Sequence, residues 1–73
     1  MNNIVANIKR IREQKRYPQE YVAAELGITQ ASYARIEHQQ SNLSVDRMLE
    51  IAKILDTDVS AFLDANHSKP NEQ

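Results

Sequence analysis

The stretch AAELGITQASYARIE, residues 23–37, holds the single glycine of a 73-residue chain, with apolar residues at helical spacing on both sides of it. A helix that must stop and turn sharply wants a residue in the left-handed conformation just past its end, and glycine adopts that conformation without a Cβ clash. Gly27 therefore reads as the end of one helix, Ile28 as the cover of the elbow, and Thr29 as the N-cap of the next helix. The spacing predicts two helices joined through Gly27 to Thr29, the second held at a steep angle and projected outward.

The flanking sequence extends this pattern in both directions. Ile4, Ile8 and Ile11 recur at i, i+4 and i+7 with Val5 alongside, which predicts an amphipathic helix over residues 3–15 with Asn2 or Asn3 as N-cap. Pro18 suits the first turn of a second helix, where its missing N–H costs nothing. Val22, Ala23 and Leu26 form that helix's buried stripe. A third helix from Gln30 to His38 buries Tyr33 and Ile36. After the polar loop QQSNLS (39–44), Ser44 caps a fourth helix with Val45, Met48, Leu49, Ala52 and Leu55 on one face, leaving Ile51 and Ile54 off that stripe. Asp58 caps a short fifth helix carrying Val59, Phe62 and Leu63. No segment reads as a strand. The expectation is one all-α domain over residues 1–65, a compact bundle of five short helices, followed by a disordered tail, 66–73, that has no apolar residue and contains Pro70.

Composition narrows the function. With no cysteine, disulfides and thiolate metal sites are excluded, and His38 and His67 lie too far apart in sequence to form a local ligand cluster. Neither a metal nor a cofactor is expected. No apolar run approaches the ~18 residues a membrane span needs, and MNNIVANIKR has no signal-peptide core, so the chain reads as cytoplasmic. The net charge of −1 is unevenly divided: residues 1–38 carry six Lys/Arg against four acids, and residues 39–73 carry three against six. This polarity suggests a basic face in the first half and an acidic body behind it, although a mixed solvated surface accounts for the charges almost as well. No serine–histidine–acid constellation, phosphate-cradling glycine loop or paired carboxylates appear, so no enzyme activity is expected.

The chain closely resembles the lambda-repressor-like, Cro-type helix-turn-helix family of bacterial and phage regulators. That family's unit corresponds to Gln19–His38, with an opening glutamine, a small fifth residue and a ninth-position glycine supplied by Gln19, Ala23 and Gly27. Its apolar positions are filled by Val22, Leu26, Ile28, Tyr33 and Ile36. The likeness continues through IKRIRE (8–13), NLSVDRMLEIAKIL (42–55) and DVSAFL (58–63). A small Ala23 lets the second and third helices cross closely. The resemblance also implies a partly buried structural ion pair between Arg12 and Glu37. Four positions depart from the family pattern: Pro18 stands where the cap is usually Ser or Thr, Tyr17 and Tyr33 replace aliphatic residues, and Gln39 replaces a glycine.

The resemblance implies a sequence-specific regulator of transcription, a repressor, that binds double-stranded DNA with its third helix in the major groove. Gln30, Ala31 and Arg35 then face the base edges, with Ser32 and Ala34 at the margins. Gln suits adenine, Ala a thymine methyl and Arg guanine. Gln19 implies a phosphate contact, and Arg10, Lys15, Arg16, Gln40, Ser41 and Asn42 are further candidates. His38 reads as a cap or a phosphate neighbour. Family members bind near-palindromic operators as homodimers, and Ile54, Phe62 and Leu63 are candidates for that interface or else complete the core. The competing expectation is a protein-interaction module of the same fold, docking a toxin or anti-repressor partner. Neither a membrane nor a small-molecule effector domain is expected.

Overall fold

Helix boundaries follow local chemistry closely. In a computed structural model, which describes residues 4–38 and 43–63, five helices form: α1 (Ile4–Gln14), α2 (Gln19–Leu26), α3 (Gln30–His38), α4 (Val45–Ile54) and α5 (Ser60–Leu63). No strand occurs among the described residues. The expected disordered tail, the Asn2 or Asn3 cap and most of the loop after α3 lie outside the described residues.

Pro18 sits one residue ahead of α2 in extended backbone, with φ −71° and ψ 157°, and has no side chain to cap the helix. Its carbonyl instead accepts from the N–H groups of Tyr21 at 3.1 Å and Val22 at 3.3 Å. Thr29 caps α3, its Oγ1 accepting the Ser32 N–H at 3.1 Å. Ser44 caps α4 through the Arg47 N–H at 3.1 Å, and Asp58 Oδ1 takes the Ser60 N–H at 3.0 Å ahead of α5.

Three helices stop by the same turn. After α2, the Gly27 N–H reaches Ala24 O at 3.1 Å and the Ile28 N–H reaches Ala23 O at 3.0 Å. After α1, Arg16 and Tyr17 repeat the pattern on Glu13 and Arg12; after α4, Asp56 and Thr57 repeat it on Lys53 and Ala52. This is the Schellman arrangement, which requires a left-handed residue at its first position. Gly27 has φ 76°, Arg16 φ 65° and Asp56 φ 55°. A Cβ built on Gly27 would meet nothing within 4 Å, so the demand there is torsional rather than steric. Two substitutions at equivalent positions should therefore act in opposite directions. Gly27→Ala is expected to destabilise the fold by about 1 kcal/mol and Arg16→Gly to stabilise it by a similar amount, net of the change in unfolded-chain freedom. Urea unfolding of both variants checks this, and shifts of the same sign would contradict it.

The core gathers one face of each helix: Ile8 and Ile11 of α1, Val22 and Ala23 of α2, Tyr33 of α3, Ile51, Ala52 and Leu55 from α4 and its end, and Phe62 of α5. α2 packs on α3 and α4, while α1 packs on α3 and α5. Two sequence expectations need correction here. Of the expected α4 stripe, Ala52 and Leu55 lie in the core and Met48 packs against it, but Val45 is 65% and Leu49 47% exposed. The fully buried Ile51 instead lies in the core together with Ala52 and Leu55. Phe62, considered as a contact for a second copy, is fully buried among the chain's own residues and is not accessible to one. Leu63 remains 54% exposed, and Ile54 is half-buried at a shallow cleft beside Leu26.

Candidate functional site

α3 divides its residues between core and solvent. Tyr33 is fully buried and Ile36 packs against the core, while Gln30, Ala31 and Arg35 are exposed and Ser32 and Ala34 are half-buried. The exposed side faces an open groove of about 520 Å³ lined by Lys9 of α1, Gln19 of α2, and Ala31, Ala34, Arg35, Glu37 and His38 of α3. Lys9 and Arg35 make this groove positive, because the one carboxylate in its lining is neutralised from behind.

That carboxylate, Glu37, anchors a network connecting α1, α2 and α3. Arg12 grips it with two parallel bonds, Nε to Oε2 at 2.6 Å and Nη2 to Oε1 at 3.1 Å. The pair is nearly dry, with side chains 8% and 3% exposed. Arg12 Nη1 also donates to the Tyr17 carbonyl at 2.7 Å, tying the end of α1 to the entry of α2. Tyr33 donates its hydroxyl to Glu37 Oε2 at 2.6 Å, which gives this buried phenol a partner, and Gln19 Nε2 donates to Oε1 at 3.1 Å. Burial pushes the Glu37 carboxyl upward, but the bonds from Arg12, Tyr33 and Gln19 outweigh it and hold the group below its ordinary value. The Glu37 hydrogen bonds likewise raise Arg12, against the opposing effect of its burial. Burial first, and then the carboxylate it bonds, push the Tyr33 phenol far upward, so it remains a donor at any physiological pH.

The other candidate cations are arranged differently. Lys15 Nζ donates to the Asp56 carbonyl at 3.1 Å, joining α1 to the end of α4. Arg10 is half-buried and bonds Asn7 Oδ1 at 3.0 Å, and Asn7 in turn donates to the Phe62 carbonyl at 2.8 Å. Arg16 is exposed at the left-handed turn. None of these three lines the groove. Gln40, Ser41 and Asn42 lie outside the described residues. Lys9 does line the groove, and the sequence reading passed over it. Its spacing was a usable signal, since Lys9 stands three residues before Arg12 and so lies on the helix side that faces α3.

No cluster of metal-ligating side chains occurs among the described residues, and none of their helices is long and apolar enough to cross a membrane. No curated protein and no solved structure matches the chain. The sequence profile of a helix-turn-helix family matches residues 8–62, which runs from the middle of α1 to α5 and takes in the network and the groove. The chain therefore belongs to the lambda-repressor-like, Cro-type helix-turn-helix family of DNA-binding regulators.

Proposed function

We propose that the protein is a repressor that binds specific double-stranded DNA sequences by laying α3 in the major groove. The observation that carries this reading is the outward row of Gln30, Ala31 and Arg35 beside a groove lined by Lys9 and Gln19. Arg35 has the fork geometry for guanine O6 and N7, Gln30 the donor–acceptor pair for adenine, and Ala31 an apolar surface for a thymine methyl. Ser32 stands at the margin of this row. Lys9 and Gln19 contact the phosphates flanking the groove and set the register of α3, with Arg16 as a further contact. Two copies related by a twofold axis read a near-palindromic operator, with half-sites about 34 Å apart. Leu63 and Ile54 supply apolar surface for that pairing.

Selection of bound sequences from random duplex DNA tests the reading. A twofold-related site should be enriched. Repeating the selection with Arg35→Ala should flatten the preference at one position in each half-site, removing about 1–3 kcal/mol of discrimination, while the other positions persist. An unchanged preference would remove Arg35 from base reading, and no enrichment by the unaltered protein would contradict sequence-specific binding.

A further inference from the structure

We propose that the buried carboxylate of Glu37 is a positioning residue for base reading, fixing which end of the Gln19 and Gln30 amides faces outward. This inference rests on the DNA-binding reading above and extends it to residues that touch no base.

An ionised carboxylate only accepts hydrogen bonds, so Gln19 must turn its NH₂ end toward Glu37. It does so, with Nε2 at 3.1 Å from Oε1. The Gln19 carbonyl oxygen is thereby directed toward the first turn of α3. There it meets Gln30 Nε2 at 3.5 Å, the long limit of a hydrogen bond. An oxygen at that place calls for a donor, so Gln30 also turns its NH₂ end inward. Its own carbonyl oxygen and second N–H are left for a base edge, in one fixed order. A free glutamine amide on a helix surface has no such preference between its two orientations. Adenine offers N6–H and N7 in a fixed order too, so an amide held the right way round reads it and a flipped one does not.

Glu37 can impose this order because it is itself immobilised. Oε2 accepts from both Arg12 Nε and the Tyr33 hydroxyl at 2.6 Å, which leaves Oε1 to Arg12 Nη2 and Gln19. The Tyr33 hydroxyl thus acts at one remove: it holds the carboxylate plane that orients Gln19, and Gln19 orients Gln30.

The test measures competitive binding of duplexes carrying each base pair at every position of the selected site. Gln30→Ala identifies the position that Gln30 reads by flattening the preference there. Tyr33→Phe and Gln19→Ala should each weaken the preference at that same position by about 3–10-fold, part of the ~5–150-fold that a bidentate contact contributes. Preference at the position read by Arg35 should be unaffected, and in a Gln30→Ala background Tyr33→Phe should change nothing further at the Gln30 position. The proposal is overturned if Tyr33→Phe or Gln19→Ala leaves intact a preference that Gln30→Ala abolishes, whether or not Gln19→Ala also weakens binding to every sequence through its lost phosphate contact. If the unaltered protein shows no sequence preference, the proposal fails together with the base-reading function. If Gln30→Ala and Arg35→Ala flatten their positions and the other two variants do not, it fails alone.

Discussion

Arg12→Met is expected to lower the stability of the domain by about 3–5 kcal/mol, the cost of leaving a buried charge without its partner. Stability at ~0.05–0.15 kcal/mol per residue gives a 73-residue chain a total of only about 4–11 kcal/mol, so the variant stands near the edge of folding. The loss is large because Glu37 stays 3% exposed and keeps only the donors Tyr33 and Gln19. Acidity should reduce it. In the unaltered protein the Glu37 carboxyl is held below its unfolded value of about 4.3, so its contribution is complete above that pH and disappears as pH falls through it and on through the folded value. Removing Arg12 takes away the largest of the effects that lower the carboxyl and leaves the burial that raises it. The folded variant therefore takes up its proton at higher pH than the unaltered protein does. The stability gap between the two should narrow on acidification from pH ~7 to pH ~4. Urea unfolding across that range measures it, and a gap that stays constant or widens would contradict the burial and pairing of Glu37.

Phe62→Ala should cost a similar amount, about 3–5 kcal/mol, through the cavity left by a fully buried aromatic ring. α5 has only four residues and cannot persist without packing, since isolated helices shorter than ~12 residues are marginal in water. It is attached through Phe62, whose ring fills the core and whose carbonyl accepts from Asn7 Nδ2 at 2.8 Å. The destabilisation should be equal at protein concentrations tenfold apart, because the lost contacts are all within one chain. A loss below ~1 kcal/mol, or one that appears only at high concentration, would return Phe62 to an interface between copies.

Some of the architecture was legible because it is local. Thr29, Ser44 and Asp58 announce helix starts through side-chain oxygens that satisfy N–H groups a few residues away, and Gly27 announces a stop. The equivalent stops at Arg16 and Asp56 were not visible: nothing in an arginine marks a left-handed turn, and aspartate, which tolerates one, serves equally as a helix cap. The phase of α4 was obscured for a different reason. Val45 and Leu49 compete with Ile51 and Ile54 for the buried side, and only tertiary packing decides between two overlapping apolar stripes. At the candidate site, helical spacing separated the buried Tyr33 from the outward Gln30, Ala31 and Arg35. It could not reveal that Gln19 bonds Glu37, or that Lys15 is directed to the end of α4 rather than to the groove, since these contacts join residues 18 and 41 positions apart.

The most direct test of DNA binding through the α3 groove is a fluorescence anisotropy titration of duplex DNA with the protein over a series of salt concentrations. With Lys9 and Arg35 on phosphates or in the groove between them, log K should fall linearly with log[salt], with a slope of about −2 or steeper per subunit, and Lys9→Ala should make the slope shallower by about 1. No binding to duplex DNA at low salt, or an affinity indifferent to salt, would contradict it.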